Sequence, residues 1–272
     1  MLKSKYDLLK GFEGAGQEEA TIGQITSMLA NAGFTYVVAT ARGNASYYFT
    51  KGDCDYVFVM IENGRTKTVD FTVIDMDTYK EHFAGKNRTL NTKRRTDGSV
   101  KIICNCGGFN NMPIHRLVVG AEAGVSVDHI SHNTRLNVAE FLRECVAEEN
   151  NINKPMYCRV NELDSSFSII NTLIDIKESQ NLANRGYKVR IGRKRIYSPV
   201  FATKKDMYDE IQRIETAYLG EYRYNPLVDF SDTWYAWVLC NMTNTITQDE
   251  LEEYQRDYMK RNNPAIADYY QL

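Results

Sequence analysis

Four short strand-like runs between residues 34 and 74 constrain the fold more than any other feature of the sequence. Each run is rich in β-branched and aromatic residues, and the runs cover residues 34–38, 46–49, 56–61 and 68–74. Turn residues separate them, including an Asn63-Gly64 pair that is typical of a β-hairpin. Because connections this short join antiparallel neighbours, the segment predicts an antiparallel meander.

A helix is predicted before these strands, over residues 21–32. Ile22, Ile25 and Leu29 recur at helical spacing, and a glycine follows at the end of the pattern. Helix and meander together predict an α+β N-terminal domain, residues 1–85, to which the sequence assigns no role. The polar and basic residues 83–98 are interpreted as a linker that marks a domain boundary.

The C-terminal half contains one predicted hairpin and several predicted helices. Residues 187–191 and 195–197 alternate around Gly192 as a hairpin does, and residues 206–218 have the apolar spacing of a helix. A helical tail is expected over residues 230–272, broken at Thr243-Asn244-Thr245. Its tryptophans are expected in the core, and its helices are expected to pack internally or to form a homodimer.

Composition limits the possible functions. The chain has 272 residues, 43% of them hydrophobic and 25% charged, as in an ordinary folded protein. A net charge of −2 lacks the overall basic character of a nucleic-acid binder, so any such contact must be local. Without a run long enough for a membrane span and without a signal-peptide core, the chain is expected to be cytoplasmic, with no membrane partner.

The six cysteines are expected to be reduced thiols. Only Cys104 and Cys106 are closely spaced, and a single Cys-x-Cys without a second pair is a weak zinc signal.

Three of the four histidines fall in one short window together with an acid and two amides. The set is His115, His129, His132, Asp128, Asn133 and Asn137. A carboxylate beside an imidazole, with a later amide oxygen, suits one-metal hydrolysis of a phosphodiester. The oxygens hold a hard cation such as Mg²⁺, and the imidazole accepts the proton of the attacking water. The alternative is a turn with a satisfied hydrogen bond.

The order of these residues resembles the HNH family of phage-encoded and homing endonucleases. The matching segments are Ile114-His115-Arg116-Leu117-Val118, Val127-Asp128-His129-Ile130-Ser131-His132-Asn133, Leu142-Arg143 and Asn150-Asn151-Ile152-Asn153-Lys154. The resemblance implies a ββα-metal core over residues 96–155. Residues 180–226 resemble the small module of three strands and one helix that often follows such a core and binds DNA.

Roles follow from the resemblance by position. It implies that Asp128 and Asn150 bind one Mg²⁺ or Mn²⁺ ion and that His129 is the general base. Asn137, which we place with the catalytic residues, and Asn133 would brace the loop. His115 is interpreted as a structural histidine before a strand, and His132 as a surface residue.

One residue departs from the family pattern. The family usually has an asparagine before Leu-Arg, where it orients the catalytic histidine, whereas this chain has Phe141. A phenyl ring cannot accept the imidazole N–H hydrogen bond, so either Asn137 replaces it or the site is impaired. Residues 141–146 also raise a structural conflict, because periodicity favours a helix there and the family a strand. We follow the family and expect a strand over residues 141–146 and a helix that starts near Ala147.

Basic residues are the candidate contacts to DNA phosphates, although such clusters can also be solvated surface. The candidates are Arg94, Arg95, Arg116, Arg190, Arg193, Lys194 and Arg195.

Two functions stay open at this stage. The first is an HNH endonuclease that cuts double-stranded DNA with one divalent ion. The second is a catalytically reduced HNH scaffold that binds nucleic acid or a host defence protein, as a phage inhibitor would. If the chain is phage-encoded, its location is the host cytoplasm.

Overall fold

The computed structural model describes residues 2–14, 18–95, 100–104, 111–146, 157–160, 167–170, 174–178, 187–191, 194–197 and 204–272. The chain forms two compact units, one of Met1–Glu144 with Asp229–Leu251 and one of Cys145–Val228 with Glu252–Leu272. The fold is α+β, as predicted from the sequence. Each unit combines two separate stretches of the chain, which differs from the four consecutive segments expected from the sequence.

The described helices and strands are as follows. The helices are α1 (Leu2–Lys10), α2 (Glu18–Asn31), α3 (Met76–His82), α4 (Ile114–Val119), α5 (Lys204–Leu219), α6 (Trp234–Asn241), α7 (Gln248–Asn262) and α8 (Pro264–Tyr269). The strands are β1 (Thr35–Ala41), β2 (Asn44–Thr50), β3 (Tyr56–Asn63), β4 (Thr68–Asp75), β5 (Leu90–Arg94), β6 (Val100–Cys104), β7 (Met112–Pro113), β8 (Ser126–His129), β9 (Leu136–Asn137), β10 (Leu142–Cys145), β11 (Tyr157–Val160), β12 (Phe167–Ile170), β13 (Ile174–Glu178), β14 (Tyr187–Ile191) and β15 (Lys194–Tyr197).

The first unit is built on a five-stranded sheet in the order β1-β2-β3-β4-β9. Strands β1 to β4 form the predicted antiparallel meander. The short strand β9 is added in parallel, with Val73 opposite Leu136 and Ile74 opposite Asn137. This pairing brings the histidine-rich segment onto the N-terminal sheet, so the two do not form separate domains.

Strand alternation gives this sheet two apolar faces. Val57, Val59 and Ile61 are buried in one cluster with residues of α3, β5 and β6. On the other face, the rings of Phe58 and Phe71 stack 5.4 Å apart, and Trp234 of α6 lies 3.9 Å from Phe71. The predicted core position of the tail tryptophans is therefore confirmed, and α6 belongs to the first unit.

The linker interpretation of residues 83–98 is wrong. Strand β5 lies in this stretch and pairs in antiparallel register with β6, and Leu90 at its start is fully buried. The basic residues lie at the exposed end of this edge strand, whereas its other end is buried in the core. Their charge alone therefore suggested a solvated linker.

The strand predicted near residues 141–146 is confirmed. A 3₁₀ turn (Ala139–Phe141) leads into β10, which pairs with β8, so periodicity alone would have given the wrong element. The helix predicted after residue 147 lies outside the described residues. His115 was expected before a strand but is in the short helix α4.

The second unit contains a five-stranded antiparallel sheet in the order β11 to β15. The predicted hairpin is confirmed, with Arg190 opposite Arg195 and Ile191 opposite Lys194. The predicted helix is α5. The sheet has two strands more than the three-stranded module that the resemblance implied.

Two further sequence expectations can be compared with the described residues. Cys54 and Cys240 are free thiols, Cys104 and Cys145 are buried, and the side chains of Cys106 and Cys158 lie outside the described part. None of the described helices has the length and apolar character needed to cross a bilayer.

Candidate active site around His129

The site is formed where the chain turns between β8 and β9. His129 ends β8, and the backbone N–H of Ile130 donates to the Phe141 carbonyl at 2.8 Å. His132 donates to the His129 carbonyl at 3.0 Å with a left-handed backbone, φ 56°. The turn therefore reverses the chain and brings Asn137 to the histidine, with His129 Nε2 3.1 Å from Asn137 Oδ1.

The hydrogen bonds of Asn137 determine which atom faces the histidine. Its side chain is fully buried, and Nδ2 donates to the Thr134 carbonyl at 3.0 Å and to Thr72 Oγ1 at 2.9 Å. Both amide hydrogens are thereby donated, so Oδ1 is the atom that faces His129. Since a carboxamide oxygen only accepts, His129 donates from Nε2, and Nδ1 is the basic nitrogen of its neutral ring.

Burial lowers the pKa of His129, and the positive charge of Arg95 adds to that shift, whereas the Asn137 bond and Asp128 oppose it. The ring is therefore neutral at neutral pH, the form in which an imidazole can act as a base.

A second imidazole lies against His129. The rings of His115 and His129 are 5.1 Å apart in an edge-to-face arrangement. Burial first, and then His129, lower the pKa of His115 to about 3. His115 therefore packs as a neutral ring against the general-base candidate.

Asp128 was predicted to bind a metal, and the structure adds a competing partner. The carboxylate is 4% exposed, and Oδ2 accepts hydrogen bonds from Arg143 at 3.0 Å and 2.8 Å. Asn150, the second predicted ligand, lies outside the described residues. Within the described part of the chain, His, Cys, Asp and Glu side chains form no group of three or more that could hold a metal. The described donors thus supply one carboxylate, and a cation there would share it with Arg143.

Asn133 braces the turn, as the resemblance implies. Its Nδ2 donates to the Phe230 carbonyl at 3.0 Å, and its Oδ1 accepts from the Arg135 backbone at 2.9 Å. The Ser131 carbonyl in turn accepts from the Phe230 backbone at 3.0 Å. The loop is therefore held by backbone groups of a segment about a hundred residues later.

Two of the predicted DNA contacts have partners within the protein. The Arg94 guanidinium lies 3.6 Å from Asp70 and 4.0 Å from Glu18. Arg116 donates to the carbonyls of Ala121, Glu122 and Val125, so it holds the loop that precedes β8. These contacts favour structural roles for both arginines.

The structure gives fewer contacts for the other basic candidates. Arg95 is exposed and close enough to lower the pKa of both His115 and His129. Arg190, Lys194 and Arg195 are on the hairpin β14–β15, and Arg193 lies outside the described residues.

The sequence did not point to three residues that support the site, Thr72, Arg135 and Arg143. Arg143 does so through its ion pair with Asp128. Thr72 lies 65 positions from Asn137, and Arg135 bonds Asp70 across an equal separation. No local pattern connects positions this far apart. Arg143 could have been suspected because it lies in β10, the strand paired with the strand β8 that contains Asp128.

Comparisons of the chain with protein-family models, with curated proteins and with solved structures found no match.

Proposed function

We propose that the chain is an HNH-type endonuclease that hydrolyses phosphodiester bonds of double-stranded DNA with one divalent cation. The observation that supports this most directly is the 3.1 Å contact between His129 Nε2 and Asn137 Oδ1. It supplies the orienting group that Phe141 cannot provide, so the departure from the family pattern need not impair the histidine.

His129 is the general base of this proposal. Burial keeps its ring neutral. Because Nε2 donates to Asn137, Nδ1 is the nitrogen that would accept the proton of the water attacking phosphorus. Asp128 together with Asn150 would hold the cation, Mg²⁺ or Mn²⁺. When bound, the cation supplies stabilisation of negative charge on the phosphate oxygens.

Metal-dependent nicking of supercoiled plasmid tests this proposal. We expect wild-type protein to nick with Mg²⁺ or Mn²⁺, and we expect His129→Ala and Asp128→Ala to lower the rate at least 100-fold, because each removes a reacting or cation-binding group. The matched control is His82→Ala, a substitution at a histidine on α3. Its rate should equal that of wild type.

Two results contradict the proposal. One is a folded wild-type protein that does not nick with either metal. The other is nicking that persists at an unchanged rate in purified His129→Ala, because the activity would then come from another site or from a contaminant.

The ion pair between Arg143 and Asp128 favours a second candidate, the catalytically reduced scaffold. An arginine bound to Oδ2 of the predicted metal carboxylate would compete with a cation for that group, as expected of a fold retained for binding alone. A host defence protein is then a candidate partner. Absence of nicking combined with DNA binding that weakens steeply with salt would favour nucleic acid, and salt-insensitive binding to an apolar protein surface would favour a protein.

A further inference from the structure

A buried threonine of the N-terminal sheet contacts the candidate site. Thr72 is in β4 and is fully buried. Its hydroxyl lies 2.7 Å from the Arg135 carbonyl, 2.9 Å from Asn137 Nδ2 and 3.4 Å from its neighbour's carbonyl at Val73. It therefore lies between the backbone of the site loop and the side chain that orients His129.

The direction of these hydrogen bonds follows from the available hydrogens. A threonine hydroxyl has one hydrogen, and a carbonyl only accepts, so Thr72 donates to Arg135 at the shorter distance. Its oxygen is then the acceptor for Asn137 Nδ2. An inverted Asn137 amide would place an oxygen against the Thr134 carbonyl at 3.0 Å, a repulsive contact, and would lose the Thr72 bond.

We propose that Thr72 is a positioning residue that orients the Asn137 amide and thereby keeps His129 in the tautomer protonated at Nε2. The effect of Thr72 on the His129 tautomer does not depend on any reaction, whereas its effect on the rate of DNA cleavage rests on the proposed nuclease function. The N-terminal sheet, to which the sequence assigns no role, then forms part of the support of the site.

The attachment of the site loop to β4 makes Thr72 a rigid support. The Val73 backbone N–H donates to the Arg135 carbonyl at 2.9 Å, and Arg135 bonds the buried Asp70 at 2.6 Å. Because these bonds do not involve the Thr72 hydroxyl, removing that hydroxyl alone should leave β9 on the sheet. The substitution Thr72→Val therefore tests the hydroxyl with little change in shape.

The tautomer can be measured directly by long-range ¹H–¹⁵N correlation in full-length protein labelled with ¹⁵N-histidine. His129→Ala identifies the signals of this ring. We expect wild type and Thr72→Ser to show His129 protonated at Nε2. We expect Thr72→Val to show a mixture of tautomers, because Asn137 loses one of the bonds that orient it.

Val73→Ala is the matched control, since it shortens a fully buried side chain at the adjacent position of the same strand and keeps the Thr72 hydroxyl. It should lower stability and leave the tautomer unchanged. Plasmid nicking adds a second readout: kcat should fall about 10- to 100-fold in Thr72→Val and stay within about 3-fold of wild type in Thr72→Ser.

The outcomes separate the two proposals. A folded Thr72→Val that keeps the wild-type tautomer, or a wild-type ring protonated at Nδ1, overturns the role of Thr72 whatever the nicking result. A protein that never nicks but shows the expected tautomers retains the role of Thr72 and rejects the nuclease.

Discussion

At the scale of residues, His115 and His129 form a pair of neutral imidazoles. Their rings are 5.1 Å apart, and burial lowers the pKa of both. Two imidazolium ions at this distance would repel each other in a medium that solvates charge poorly. Burial therefore keeps both rings unprotonated at neutral pH, at the cost of stability in acid.

This cost predicts a pH dependence of stability. The unfolded chain protonates His115 below its ordinary pKa of 6.5, whereas the folded chain does not until about pH 3. Since the unfolded state binds more protons in that window, stability falls as pH falls from 6.5 toward 3. Between pH 6.5 and pH 5 the loss from His115 should be roughly 2 kcal/mol.

Urea unfolding of wild type and His115→Gln at pH 7 and pH 5 measures this loss. The variant should lose less stability than wild type between the two pH values, because glutamine does not titrate. His82→Gln, at a histidine outside the pair, should keep the wild-type pH dependence. Equal pH dependence in wild type and His115→Gln would show that His115 is not held neutral.

At the scale of elements, the parallel pairing of β4 with β9 holds the site on the sheet. The pairing is short, and side chains reinforce it: Asp70 accepts from Arg135 at 2.6 Å, and Arg135 also reaches Glu18 at 2.8 Å. Asp70 is 2% exposed, so contact with Arg135 replaces most of the contact its side chain would make with water. Removing the Asp70 carboxylate would leave less negative charge to balance the positive charge of the Arg135 guanidinium.

We predict that Asp70→Ala lowers the free energy of unfolding by roughly 2–4 kcal/mol, because it breaks a buried ion pair from one side. The matched control is Asp77→Ala on α3, whose carboxylate is 98% exposed and lies 3.9 Å from Lys80. That exposed pair should contribute less than about 1 kcal/mol. Urea unfolding at pH 7 gives both values. Similar losses of unfolding free energy in the two variants would contradict a stabilising ion pair at Asp70.

At the scale of the whole molecule, the net charge of −2 requires DNA binding to use a local basic surface. In the first unit, Arg94 and Arg116 contact groups of the protein itself. In the second unit, the hairpin β14–β15 places Arg190 opposite Arg195, next to Lys194. This hairpin is therefore the leading candidate for phosphate contact.

We predict that replacing Arg190, Lys194 and Arg195 by alanine weakens duplex binding and reduces its salt dependence. If all three contact phosphates, the slope of log K against log salt should become shallower by about 2.7, because each contact contributes about 0.9. Fluorescence anisotropy with a labelled duplex measures the slope.

Arg213→Ala is the control for the hairpin variant, since Arg213 is an exposed arginine of α5 that pairs with Glu210 at 2.7 Å. Its slope should match that of wild type. An unchanged slope in the triple variant would remove the hairpin from the DNA-binding surface.

Local patterns in the sequence predicted several elements correctly. The meander, α2, the hairpin β14–β15 and α5 were all recognisable, because strand alternation, helical spacing and turn residues are short-range signals. The prediction of a linker over residues 83–98 was wrong because it also relied on a short-range signal. The segment contains many charges, and only the pairing of β5 with β6 reveals a strand.

The candidate site also depends partly on local sequence and partly on tertiary contacts. The sequence alone determined which chemical groups are available, since the order of Asp128, His129 and Asn137 is local. Only the tertiary structure decided how they are used, by pairing β9 with β4, by placing Thr72 against Asn137 and by setting Arg143 on Asp128. The physical reason is that hydrogen bonds and ion pairs depend on distance in space, and a sequence window does not contain partners that lie 65 positions away.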